Sequence, residues 1–207
     1  MHDDSSENGD DGLDASDSET AFLREQIELA VLGGFDDEWD IEDWLADETS
    51  DADLLDELKA YAEELFRQQQ TRENTWRTPT VNDAIDQAFE QLNEHGIVAL
   101  QNAGHTMSDG WSDAHEAASE LPDKPRGAVF YHGQDLESGI QGEGLMLAFG
   151  AFENDEKKSE AASTAIAREV CDTLVAHGVR VKWDGSVHSR IEITPFSWRK
   201  RRWTSAP

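Results

Sequence analysis

Two strongly apolar runs, Gly127–Tyr131 and Leu145–Phe149, flank a polar stretch, His132–Gly144. Each run is strand-sized and bounded by turn-forming or charged residues. Such a run reads as a strand buried on both faces. Two of them need helices on either side, which constrains the chain to α/β or, alternatively, α+β architecture. Asp135–Ile140 is predicted as a helical turn, and the glycines at 139, 142 and 144 bring the chain back.

The flanking segments supply those helices. Val81, Ile85, Ala88, Phe89 and Leu92 form an apolar stripe, with Thr80 as N-cap and Asp83 at the third helical position. His95-Gly96 stops the helix and Ile97–Leu100 follows as a short strand. Gln101–Gly110 is predicted as a loop and Ser112–Glu120 as a short helix. Ser159–Ala176 is a long helix with Ala162, Ile166, Val170 and Leu174 inward, closed by His177-Gly178. The His-Gly pair thus recurs as a helix stop, where glycine supplies positive φ. Val179–Trp183 and Arg190–Thr194 are expected to pair as a hairpin. The expectation is a mixed sheet of four to five strands within a core domain over 79–203.

Residues 20–75 form an acidic helical region before it. Leu23, Ile27, Ala30 and Val31 share one helical face, and Gly33-Gly34 ends it. A second helix over Asp37–Ala46 carries Trp39 and Trp44 among acids. A third follows a Ser50 cap, with Leu54, Leu58, Ala62 and Leu65 inward, and ends near Gln68–Gln70. The two tryptophans are expected to pack on their own domain; a docking role is the alternative. Residues 1–19 contain almost nothing apolar and are expected to be a disordered acidic tail.

The net charge of −28 narrows the partners. It disfavours nucleic acid and anionic membranes and leaves a protein partner open. The chain has 17 basic residues. The only basic cluster is Arg199–Arg202, flanked by Trp198 and Trp203. Its expected target is the chain's own acidic surface or an acidic partner. The lone Cys171 allows neither an internal disulfide nor a cysteine zinc site. No run reaches membrane-spanning length and the N-terminus lacks a signal pattern, so the expected location is the cytoplasm. Oligomeric state is not indicated.

The candidate site lies where the first apolar run ends. His132 is a candidate general base, with Asp135 to orient it. Tyr131, Gln134 and Arg190 are candidate ligand-binding residues. Capping by Asp135 and loop bonding by Gln134 explain the same residues without chemistry. Arg190 is expected to pair with Asp184 across the hairpin turn. His105, Asp109, Asp113 and His115 lack recognised metal-ligand spacing and read as surface. Gly142-Glu143-Gly144 lacks the helix and the Lys-Ser/Thr of a phosphate loop. No cofactor or metal is expected.

Several segments in order carry a resemblance: TVNDAIDQAFEQLNEHGIVA (80–99), FYHGQDLE (130–137), GEGLMLAFG (142–150), VRVKWDGSVHSRIEI (179–193) and WRKRR (198–202). Together they resemble the bacterial domain of unknown function 6891 family. The resemblance implies no reaction. Many relatives carry cysteines in the loop after the first strand; here that loop reads QNAGHTMSDGW, so no metal or redox role carries over to it. The expected function is a non-enzymatic interaction or regulatory domain. The alternative is a small hydrolase-like or ligand-binding enzyme around His132 and Asp135.

Overall fold

The computed structural model describes residues 15–153 and 155–202. These form seven helices and five strands in two compact units. Of the described residues, one unit takes 15–31 together with Phe35–Gln69; the other takes Leu32–Gly34, 70–153 and 155–202.

The first unit is built from three helices, α1 (Ala15–Gly33) as far as Val31, α2 (Glu38–Glu48) and α3 (Ala52–Glu73) as far as Gln69. Its core takes Leu23, Ile27 and Val31 from α1, Ile41 and Leu45 from α2, and Leu58, Ala62 and Phe66 from α3. The α1 and α3 sets fall at i, i+4, i+8, one face of a helix. Gly34, at φ +80°, follows the end of α1. Asp37 caps α2 by accepting from Trp39 N and Asp40 N, while Asp40 Oδ2 accepts from Asp37 N. The cap of α3 is Asp51 rather than the expected Ser50, since Asp51 Oδ1 accepts from Asp53 N and Leu54 N. A carboxylate at that position also faces the positive end of the helix dipole. Of the expected disordered tail, residues 1–14 lie outside the described residues, and α1 already begins at Ala15.

The second unit runs α4 (Val81–Glu94), β1 (Ile97–Leu100), α5 (Met107–Glu120), β2 (Gly127–Phe130), α6 (Gly133–Gln141), β3 (Leu145–Ala151), α7 (Glu156–Ala176), β4 (Val181–Lys182) and β5 (Ile191–Ile193). The sheet order is β1-β2-β3-β5-β4. β1 and β2 are parallel through the α5 crossover, and all other pairs are antiparallel, including the expected β4–β5 hairpin. The fold is α/β with a mixed sheet. α5 starts five residues before the expected Ser112, because Thr106 and Asp109 form a capping box.

Strand alternation divides the core. Ala128 and Phe130 join Val98, Ala103, Ala114 and Ala148 on the α5 side, where Trp111 meets the Phe130 ring edge-on at 5.2 Å. Gly127, Val129 and Tyr131 have the opposite parity. A methyl on Gly127 would meet Ile166 of α7, and the Tyr131 ring lies 6.5 Å from Phe89 of α4. At the outer edge of β1, Asn93 Oδ1 accepts from Ala99 N at 2.8 Å and its Nδ2 donates to Ala99 O at 3.2 Å. One side-chain amide thereby takes the place of a neighbouring strand.

The basic C-terminal cluster folds onto its own unit. Arg199 N donates to Asn82 Oδ1 and Lys200 Nζ to Asp86 Oδ1. Arg201 donates to the carbonyls of Glu73, Trp76 and Arg77 and to Thr78 Oγ1, and its guanidinium lies 5.8 Å from the Trp76 ring centre. Arg202 N donates to the Glu73 carboxylate. Of the two alternatives, the chain's own surface is the one occupied. Trp203 lies outside the described residues.

The α5–sheet contact depends on Gly110, where an added methyl would come within 2.3 Å of the Phe130 ring and 3.0 Å of Ala103 O. Gly110→Ala is expected to lower stability by about 1–3 kcal/mol through overpacking. Denaturant unfolding measures this; a midpoint equal to the parent's would contradict the close packing described.

Candidate functional site

His132 leaves the end of β2 in extended backbone and is the N-cap of α6. Its free N–H donates to Asp135 Oδ2 at 3.3 Å, the reciprocal half of a cap. The next two amides of α6 are also matched: Gly133 N donates to Gly104 O at 2.9 Å and Gln134 N to His105 O at 3.3 Å. The loop after β1 therefore closes the N-terminus of the helix after β2. Both lie beyond the carboxyl ends of parallel strands, where open α/β sheets place their sites.

Arg190 arrives from the other side of β3. The second half of β3, Ala148–Ala151, pairs with β2; its first half, Leu145–Leu147, pairs with β5. This stagger puts the start of β5 level with the end of β2. Arg190, one residue before Ile191, forks onto Asp135: Nη2 to Oδ1 at 2.6 Å and Nη1 to Oδ2 at 3.1 Å. Nη1 also lies 3.3 Å from His132 Nε2. Nε2 is also 3.2 Å from Asp135 Oδ2; it can face Arg190 only as an acceptor and Asp135 only as a donor, so with the ring neutral the tautomer sets which of the two contacts is a hydrogen bond. Nδ1 is buried without a partner.

The charges agree with a neutral ring. Burial pulls the His132 pKa below its ordinary 6.5; Asp135 opposes this and Arg190 reinforces it. His132 and Asp135 are 5% and 4% exposed, so neither presents an open face to a substrate. Asp135 spends both oxygens on Arg190 and one also on the helix cap. The arrangement ties α6 to β5 and leaves the Arg190 side chain about a third exposed, at 30%.

Three of the five sequence candidates, His132, Asp135 and Arg190, therefore converge. Tyr131 points to the opposite face, as strand alternation requires. Its hydroxyl donates to Gln101 Oε1 at 2.9 Å; Gln101 Nε2 donates to Asp86 Oδ1, which also takes Lys200. Burial, with Asp86 nearby, holds the phenol well above its ordinary pKa, so it stays protonated. The Gln134 side chain is exposed, and only its backbone N–H joins the loop contact. The expected Arg190–Asp184 pair is not formed. Asp184 accepts instead from Ser186 N and Ser189 Oγ inside its own turn. A local turn captures a short carboxylate at little entropic cost, which frees Arg190 for a partner 55 positions away.

Asp109, considered with His105, Asp113 and His115, is committed to the α5 cap, and its Thr106 bonds lower its pKa. His115 lies among Trp111 and Phe152. Sequence reasoning missed Gly104 and His105 as the closure of α6, and Gln101, Asp86 and Lys200 as partners of Tyr131. No local signal marks them, because the contacts join distant segments.

The first unit carries a different kind of surface. Residues 15–69 hold eighteen acids against three bases. A cleft of about 810 Å³ between α1 and α3 is lined by Asp17, Glu25, Glu28, Asp53, Glu57 and Tyr61. Arg24–Glu57 and Tyr61–Glu28 bonds cross it. Trp44 packs against the helical core, as expected for an aromatic in its own domain. Trp39 does not: it is 69% exposed, and Phe22 is 54% exposed.

Two outcomes follow for the buried cluster. Asp135→Asn is expected to cost about 3 kcal/mol, since Arg190 loses its charged partner beside a buried imidazole; urea unfolding reads this, and a cost near zero would contradict the tie. His132 binds a proton more readily in the unfolded chain. Its contribution is thus fully present above pH 6.5 and falls as the pH drops below that value, by at most about 1.4 kcal/mol per pH unit. His132→Gln should flatten that part of the stability–pH curve, measured by melting temperature between neutral and mildly acidic buffers.

Among the described residues no helix is long and apolar enough to cross a membrane. Comparison with curated proteins gives no match, and comparison with solved structures gives none. The model of the family described as Domain of unknown function (DUF6891) matches residues 16–202, and the chain belongs to that family.

Proposed function

We propose that this protein is a non-enzymatic interaction or regulatory domain of the cytoplasm, which recognises a protein partner through its acidic helical unit. The observation that carries this is Trp39, a large aromatic left 69% exposed on an acid-rich helix while Trp44, five residues on, is packed inward. Exposed aromatics are enriched where proteins meet, and depleted elsewhere on surfaces. The carboxylates around it favour a cationic partner and speed its encounter. They repel nucleic acid.

A second reading, a small hydrolase-like or ligand-binding enzyme around His132 and Asp135, draws on the convergence with Arg190 and on the unpartnered Nδ1. Against it stands the bonding of Asp135, which is spent on structure.

The paired variant Phe22→Ala with Trp39→Ala tests the first. Both side chains are exposed, so stability should hold within about 0.5 kcal/mol. A partner that copurifies with the parent protein from its native cell should be lost from the variant and should leave the parent as salt rises. Equal recovery on both proteins would sink the proposal.

A further inference from the structure

At the end of β2 opposite His132, the second unit holds a cavity of about 580 Å³. His115 and Ala118 of α5 line it, with Lys124 from the segment before β2 and Ala151, Phe152 and Glu153 from the end of β3. Small-molecule sites commonly span roughly 300–1,000 Å³.

The margin of the sheet builds one wall. Phe152 N donates to Arg126 O at 3.0 Å, which extends the β2–β3 ladder by one pair and fixes the backbone there. The Phe152 side chain is half-buried against the α5-side core. Its ring lies 5.0 Å from the His115 ring at an interplanar angle of 41°, and the His115 ring lies 6.2 Å from that of Trp111. Two rings backed by a packed core therefore form an aromatic platform. Ala118 and Ala151 beside it are too small to fill the space.

Two charges of opposite sign complete the lining. Lys124 and Glu153 are exposed. Neither Lys124 nor His115 has a hydrogen-bond or ion-pair partner among the described residues. Glu153 Oε1 accepts from Asp155 N at 2.9 Å, and its second oxygen remains open to a further donor.

An aromatic platform with a cation and an anion beside it fits a compound that answers all three. Net charge decides which. A chain of net charge −28 repels a small anion. A compound with an ammonium alone would leave Lys124 unanswered and add a like charge beside it. A zwitterion avoids both, offering a carboxylate to Lys124 and an ammonium to Glu153. An aromatic side chain on it gains offset or edge-on contact with Phe152 and His115. The geometry points to a binding site for a free aromatic amino acid at this end of the sheet. The site belongs to the second unit alone and does not rest on the partner surface proposed above.

The test uses the full chain and isothermal titration with L-phenylalanine, phenylpropionate, which lacks the ammonium, and phenethylamine, which lacks the carboxylate. NMR shifts locate the binding. L-phenylalanine should bind in roughly the millimolar range, as its size dictates, with shifts centred on His115, Ala118, Ala151 and Phe152. Each of the other two compounds should bind about fivefold more weakly, the scale of one exposed ion pair. Lys124→Met and Glu153→Gln, both at exposed positions and checked for an unchanged melting temperature, should each weaken L-phenylalanine by about the same factor; the glutamine keeps an oxygen for Asp155 N. Absence of binding at millimolar concentration, equal affinity for the three compounds, shifts centred elsewhere, or parental affinity in either variant would overturn the inference.

Discussion

The second unit hangs on the way β3 is shared. Seven residues serve two strands in succession, β5 along Leu145–Leu147 and β2 along Ala148–Ala151. Had β2 and β5 flanked the same stretch, Arg190 would enter the sheet level with the start of β2. The offset instead delivers it to the far end of β2, where Asp135 is already held by the cap of α6. One carboxylate then fixes a helix, a strand and a hairpin. Removing water from that carboxylate is tolerable because the Arg190 guanidinium and the His132 amide donate to it. The price is rigidity where a catalytic pair would need freedom to meet a substrate.

What was legible in the residues was mostly local. Thr80 and Asp83 announced the start of α4, and the capping box is there. Thr106 and Asp109 repeat that spacing, yet the residues that follow do not mark the start of α5. Its first turn, Met-Ser-Asp-Gly, lacks apolar periodicity, and Gly110 argues against a helix until one sees that Phe130 needs the space. The stripe of α4 and the His-Gly stops read correctly because each is decided within a turn or two of chain. Arg190 read wrongly for the complementary reason. Sequence proximity favoured Asp184, and only the strand offset, which no local pattern encodes, brings Asp135 within reach.

The two units also handle charge differently. The second neutralises part of its surface internally, with Lys200 and Arg201 in polar niches and Arg126 forked onto Glu169. The first has three bases for eighteen acids, each base already facing a carboxylate. Helical dipoles favour some of those acids at N-termini, as at Asp37, Asp40 and Asp51. The remainder are not explained by helix formation, and their cost in self-repulsion is one a cationic partner or added salt relieves.

The amide of Asn93 has a consequence beyond the strand it closes. An outer strand with open N–H and C=O groups is a template: a second chain can add to it, then a third, and cross-β growth has begun. At Ala99 both groups are already answered by a side chain that cannot itself be extended. On the opposite margin β4 is only two residues long and offers Lys182 to the solvent. The sheet therefore has a finite width written into its ends.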